Sequence, residues 1–324
     1  MPAALAFVIG LVGVIVGAEF VARGGARFAA GLGIPPLIIG ATIVAIGTSF
    51  PELAIGIEAA LAGHADLAVA NIAGTNTLNI LLILGLVAVM RPLQLGPHTI
   101  RLDLGSIVIA SLLLVVLCLD GELSVFDSFV LVAAGLVYLV VLVRAARRER
   151  SAVIAEAAGE YPEPKRDGKV GPILISALVL VAGLAIILLG ADLLVDGAVG
   201  IASALGVSEA IIGLTIVAIG TSAPELATAI VSTLRGHRDI AVGNLIGSSV
   251  FNIVFILGIT GLATPGSFEI PPEIVWIDLP VMLAAALVCV PIFLTGRNIV
   301  RRWEGALMMA LYLGYLTTIV VLRT

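Results

Sequence analysis

The sequence predicts an all-α polytopic membrane protein of ten transmembrane helices, arranged as two inverted five-helix repeats. Three observations carry that expectation. The 324 residues are 60% hydrophobic and 12% charged, with a mean hydropathy of +1.20. A soluble domain is about 45–50% apolar and about 25% charged. Apolar runs recur along the chain, each long enough to cross about 30 Å of hydrocarbon as a helix. Finally, one long segment occurs twice. A transmembrane β-barrel would instead alternate in polarity over segments of about ten residues, and no such alternation appears.

Punctuation of the apolar runs by Gly, Pro and charge sets the individual elements. In the first half the spans fall near 3–22, 36–62, 67–90, 104–119 and 125–143. The opening "MPAALAFVIGLVGVIVGAEF" lacks the basic region of a signal peptide and reads as a retained first span. The second half places spans near 172–195, 209–234, 240–262, 274–295 and 303–322. The predicted organisation is a first repeat over 1–143, a short charged linker over 144–170 and a second repeat over 171–324. The linker is too short for a folded domain and contains no D-x-[DN]-x-[DN]-G calcium loop.

The repeat is read at one ungapped offset of 173 residues. "IIGATIVAIGTSFPELAIGIEAALAGHADLAVANIAGTNTLNILLILG" (38–85) aligns with "IIGLTIVAIGTSAPELATAIVSTLRGHRDIAVGNLIGSSVFNIVFILG" (211–258), and 29 of the 48 positions are identical. The same offset carries Gly17-Ala18-Glu19 onto Gly190-Ala191-Asp192. Five spans per half is an odd number, so the second half enters the membrane upside down. The charges agree. With ten spans, 16 of the 17 Lys and Arg residues fall on one face, and Arg323 alone falls on the other. The positive-inside rule then puts the linker in the cytoplasm and both termini outside. Single positions repeat the lesson: Arg23 aligns with Asp196, while Ala62 and Ala65 align with Arg235 and Arg238.

Polar groups inside the spans are few. The second span of each half offers Thr48, Ser49 and Glu52, matched by Thr221, Ser222 and Glu225. The third offers Asn71, Thr75, Asn76 and Asn79, matched by Asn244, Ser248, Ser249 and Asn252. Thr48 and Glu52 are four apart and share a helical face, as do Thr75 and Asn79. Pro51 cannot donate to the carbonyl of Gly47, nor Pro224 to that of Gly220. Broken backbone at this depth is tolerated where it lines a protein-enclosed or hydrated cavity. Carboxylates, hydroxyls, amide oxygens and freed carbonyls are hard donors that suit Ca2+ and Na+.

A single Ser, Thr or Asn in a span commonly serves as helix–helix glue. Ionisable groups differ, because leaving a carboxylate unneutralised in hydrocarbon is costly and no Lys or Arg lies within these four spans. Glu52 and Glu225 therefore read as functional. Gly10, Gly13 and Gly17 read as a close-packing face, and His64 and His237 as turn residues. Cys118 and Cys289, without Cys or His neighbours at ligand spacing, read as small packing residues.

The twin G-T-S-x-P-E segments are each followed by [AG]-N-x-x-G-[ST]-[NS]-x-x-N. This pairing resembles the two α-repeats of the cation/calcium antiporter superfamily, most closely those of prokaryotic sodium/calcium exchangers, over almost the whole chain. The resemblance implies ion ligands at Ala45 (carbonyl), Thr48, Ser49, Glu52, Thr75 and Asn79. In the second half it implies Ala218 (carbonyl), Thr221, Ser222, Glu225, Ser248 and Asn252. Thr75 replaces a common serine and keeps the hydroxyl. Asn252 stands where many such exchangers have aspartate, so the implied site carries only two carboxylates.

What the resemblance implies is Na+/Ca2+ antiport by alternating access at a two-glutamate site, with the Gly-rich first spans of each half as sliding gates. An H+/Ca2+ exchanger using the same carboxylates is the alternative, and a passive cation channel a weaker one. No nucleophile–base pair, phosphate-binding loop or H-E-x-x-H signature points to an enzyme. The expected partners are the transported Ca2+ and Na+ and the lipid bilayer of a prokaryotic plasma (inner) membrane. No cofactor, nucleic acid or obligate protein partner is implied.

Overall fold

A computed structural model describes residues 2–94, 102–160, 170–205, 218–295 and 299–323. Helix α1 (Ala3–Leu32) is followed by α2 (Pro36–Thr48), α3 (Phe50–Leu61) and α4 (Asp66–Met90). Next come strand β1 (Leu93–Gln94), α5 (Leu104–Leu117), β2 (Glu122–Leu123), α6 (Val125–Glu160) and α7 (Val170–Ala204). The short α8 (Ala218–Thr221), α9 (Ala223–Leu234) and α10 (Arg238–Ala263) follow. Strand β3 (Phe268–Glu269), α11 (Leu279–Thr295), β4 (Ile299–Val300) and α12 (Arg302–Arg323) complete the chain.

Among the described residues six helices are long and apolar enough to cross a membrane, and the bent pair α2–α3 makes a seventh; α5 and α9 are shorter apolar helices. Leucine, valine and isoleucine side chains along α1 and α7 face outward, as lipid-facing surfaces do: Val8, Val12, Ile15, Leu174, Leu178 and Leu189 are all exposed. The chain is a membrane protein.

The helices end where local chemistry requires. Gly33 adopts φ 68°, ψ 36° beyond α1, and the Gly33 and Ile34 amides return to the carbonyls of Ala30 and Ala29. This is a Schellman stop, with Pro35 and Pro36 beyond it. The same motif closes α3 at Gly63 (φ 81°) and, 173 residues on, α9 at Gly236 (φ 84°). His64 donates its amide to the Ala59 carbonyl and His237 donates to that of Ser232, so both histidines are turn residues, as expected.

Three helices outrun the predicted spans, among them α7, which continues to Ala204 against a predicted end at 195. Arg23 and Arg27 lie within α1, because charge ends a membrane span without ending a helix. Likewise α6 continues through the charged "RAARRERSAVIAEAAGE" stretch, rich in the helix formers Ala, Arg and Glu, to Glu160. The start of the predicted 209–234 span, linker residues 161–169, and Arg101 and Arg297 lie outside the described residues.

The chain packs as two compact units, each drawing on both sequence repeats. One comprises Met1–Pro51 and Val141–Asn244; the other comprises Glu52–Val140 and Leu245–Thr324. In the first, α1 and α7 meet along a seam of glycines. A methyl group on Gly17 would lie 2.7 Å from the Ile187 amide nitrogen, and one on Gly190 2.7 Å from that of Val14. Farther along, Gly24 and Gly183 approach backbone in the same way. On each helix the two glycines are seven residues apart, about two turns, so they share one face; small residues there let helix backbones touch in lipid, where no hydrophobic force draws them together. Val14, Ala18, Val21, Leu180, Leu184 and Ile187 fill the flanks, joined by Ile39, Ala223 and Ile240.

In the second unit α12 packs on α4, with Gly85 and Gly305 at the crossing, and α11 packs on α5. Two short antiparallel pairings, Leu93 with Val300 and Leu123 with Phe268, tie first-repeat loops to second-repeat loops. The hydroxyl of Tyr315 donates to Asp278 Oδ1 at 2.9 Å, which gives a buried carboxylate a partner.

Candidate ion-binding site

Each G-T-S-x-P-E segment folds as a break between two half-helices. Ser49 leaves helical geometry at φ −86°, ψ 7°, and Ser222 at φ −90°, ψ 8°, the same conformation in both repeats. The axes of α2 and α3 diverge by 42° across the first break. Pro224 occupies the opening positions of α9. Its missing N–H is no loss there, since the first turn of a helix has no intrahelical acceptor for it. The proline thus starts a new half-helix instead of kinking a continuous one.

This placement has an electrostatic result. Glu52 lies in the first turn of α3 and Glu225 in the first turn of α9. Both are fully buried. Unpaired amides at a helix N-terminus carry partial positive charge and favour a carboxylate beside them. Serine is a preferred N-cap, yet Ser222 makes no side-chain cap bond. The hydroxyls of Ser49 and Ser222 are buried without a hydrogen-bond partner among the described residues.

The compact units divide the predicted ligand set. Ala45, Thr48, Ser49, Ala218, Thr221, Ser222 and Glu225 belong to the first; Glu52, Thr75, Asn79, Ser248 and Asn252 belong to the second. Within the first, the Thr48 hydroxyl donates to Asn244 Oδ1 at 3.2 Å and approaches the Ala45 carbonyl at 3.4 Å. The Ala45 carbonyl also accepts the Ser49 amide at 3.1 Å. Ala218 opens α8 directly before the second break.

Within the second unit, Asn79 and Asn252 both lie in π-helical turns, Leu78–Ile83 and Asn252–Leu257. Such turns mark functional sites often, because the extra residue per turn shifts side chains and backbone bonds out of register. Asn76 donates from Nδ2 to the Ser249 carbonyl at 2.9 Å, and its Oδ1 accepts from Asn252 Nδ2 at 3.2 Å. Asn252 Oδ1 and both polar atoms of Asn79 have no hydrogen-bond partner among the described residues.

Asn76 and Asn244 stand outside the ligand set that the motif implies, although both lie within it in sequence. Their role appears only once contacts across 173–196 residues are known. A third feature is the face of α9 beyond Glu225. Thr228 and Ser232, three and seven residues on, are buried with hydroxyls that lack a partner among the described residues. Their helical spacing from Glu225 is the sequence signal that could have found them. In the same unit, Glu19 pairs with Arg23 four residues on and with Arg235 at 2.6 Å. That contact joins α1 to the turn after α9.

The chain is similar to known proteins along most of its length. The family model described as sodium/calcium exchanger protein matches residues 2–144 and 175–321. The putative antiporter CaxA of Alkalimonas amylolytica is 36% identical over 311 residues, covering 95% of each chain. The inner membrane protein YrbG of Escherichia coli is 38% identical over 282 residues, covering 87% of this chain and 85% of that one. A solved structure of the sodium–calcium exchanger NCX_Mj superposes with a TM-score of 0.83 at 28% identity, covering 97% of this chain and 98% of its own. Matched along both of its halves, the chain belongs to the sodium/calcium exchanger protein family, a family of cation/Ca2+ antiporters.

Proposed function

We propose that the protein exchanges Na+ for Ca2+ across a prokaryotic inner membrane by alternating access, with Glu52 and Glu225 as the charged ligands. Ten spans in two inverted five-helix repeats, with both termini outside, would carry the site. The observation that carries the reading is the duplicated break: in each repeat a buried carboxylate opens a half-helix behind a serine whose hydroxyl is uncommitted. NCX_Mj, whose crystals were soaked with Na+, Ca2+ and Sr2+, supports Na+ as the exchanged ion, and YrbG supports the inner membrane.

Thr48, Ser49, Thr75, Asn79, Thr221, Ser222, Ser248 and Asn252, with the carbonyls of Ala45 and Ala218, complete the oxygen set. With Asn79 and Asn252 neutral, the two glutamates give the site a charge of about −2 when ionised, which one Ca2+ or two Na+ neutralises at low dielectric. Each ion then excludes the other, and that exclusion couples their fluxes. A ligand that binds two states unequally shifts the balance between them; here the shift would turn the carrier.

The test is uptake of radiolabelled Ca2+ into proteoliposomes under imposed Na+ or H+ gradients. An outward Na+ gradient should drive accumulation, and Glu52→Gln or Glu225→Gln should abolish it. Wild-type flux in either variant overturns the two-glutamate site. Accumulation driven by H+ alone, in Na+-free buffer, assigns the coupling to protons.

A further inference from the structure

The hydrogen bonds around Asn76 form a chain whose direction one atom fixes. A backbone carbonyl can only accept, so the group of Asn76 that faces the Ser249 carbonyl at 2.9 Å must be its NH2. A second, longer contact from the same nitrogen to Met282 Sδ, at 3.9 Å, is compatible with that orientation. The Asn76 oxygen therefore faces the other way. There it meets the side chain of Asn252 at 3.2 Å, and only an N–H of Asn252 can answer it. The Asn252 oxygen is left turned away, buried and without a partner among the described residues.

We propose that Asn76 is a positioning residue that locks the amide of Asn252 so that its oxygen, and never its NH2, faces the transported cation. This rests on the reading of Asn252 as an ion ligand. An amide has two ends of similar size and opposite polarity, and a cation tolerates only one. Without Asn76 the Asn252 side chain can rotate, and about half of its orientations along that torsion offer N–H groups to the ion. An aspartate at 252 would have no such ambiguity, which is why an asparagine there needs a partner.

The arrangement is single. Asn76 and Ser249 are equivalent positions of the two repeats, and the Ser249 hydroxyl donates to the Leu245 carbonyl at 2.8 Å instead of mirroring the bond. Asn79, the repeat mate of Asn252, has no partner for either end of its amide among the described residues. The device acts on one of the two asparagines.

The experiment is a double-mutant cycle on full-length protein in proteoliposomes, read as the KM and maximal rate of Na+-driven Ca2+ uptake. Asn252→Ala should raise the KM for Ca2+ by about tenfold, and Asn76→Ala by nearly as much, with maximal rate falling less than KM rises. In the Asn252→Ala background, Asn76→Ala should add no more than about twofold, because two residues that act through one group are not additive. Full additivity, or a wild-type KM in Asn76→Ala, overturns the positioning role while leaving the glutamate site untouched. A wild-type KM in Asn252→Ala removes both Asn252 and its partner from the mechanism. If Asn76→Ala does not yield monodisperse protein, the same cycle runs with Asn76→Ser, under the same outcomes.

Discussion

The two motif breaks share a backbone and differ in what surrounds it. Ser49 and Ser222 differ by only a few degrees in φ and ψ, and the turns after the two half-helices are the same Schellman motif at Gly63 and Gly236. Side chains part company immediately. Beyond Glu225, α9 carries buried Thr228, Ser232 and Thr233; the equivalent positions beyond Glu52 are Ile55, Ala59 and Ala60. Arg235 closes the second-repeat turn onto Glu19, whereas Ala62 stands at its equivalent. The lesson is a division of labour. Backbone geometry around the proposed ion ligands is kept symmetric, and the electrostatics around it is free to differ.

Removing the serine hydroxyls tests the symmetric part. Ser49→Ala and Ser222→Ala should each weaken Ca2+ binding by about fivefold, the worth of one neutral oxygen at roughly 1 kcal/mol. Thermal stability should hardly change, since neither hydroxyl has a protein partner to lose among the described residues. Isothermal titration with Ca2+ would measure both, and effects differing by more than about threefold would show that matching backbones do not make matching ligands.

The asymmetric part is probed at Glu19. Glu19→Gln removes both arginine contacts, but Arg23 and Arg235 are half exposed. The cost should therefore be about 1 kcal/mol or less, a melting shift of about 2–4 °C in detergent. Its repeat mate Asp192 has an aspartate, Asp196, where Glu19 has Arg23. Asp192→Asn should accordingly leave the melting temperature level or raise it. A larger loss at Asp192 than at Glu19 would reverse the comparison.

The smallest effect belongs to His237. Burial lowers its pKa below the ordinary 6.5, with Glu19 opposing that shift. The unfolded chain then takes up a proton before the folded one, so stability falls as pH drops below about 6.5. His237→Asn should flatten the melting temperature between neutral pH and about pH 5, where only histidine titrates in the ordinary range. A variant as acid-sensitive as wild type would assign the slope elsewhere.

Much of this was legible in the sequence, for identifiable reasons. Apolar runs located the long helices because lipid imposes length and polarity together, and the duplicated G-T-S-x-P-E located both breaks because proline and glycine act locally. The helix ends were less legible. The charge of Arg23 ends the apolar run, but Gly33 and Pro35 end the helix, about ten residues on. The π-helical turns at Asn79 and Asn252 have no compositional mark at all. Nor could spacing reveal that Asn76 would meet Asn252, because a contact between residues 176 positions apart is set by packing and not by periodicity.

The glycine seam between α1 and α7 carries a consequence for inheritance. Any single-base change that turns a glycine codon into another residue adds at least a methyl group, and at Gly17, Gly24, Gly183 and Gly190 that methyl would lie within 2.8 Å of a backbone nitrogen on the other helix. A backbone cannot yield as a flexible side chain can. Variation should therefore be scarce along this line, and variants that abolish transport should collect there, at residues that never touch an ion.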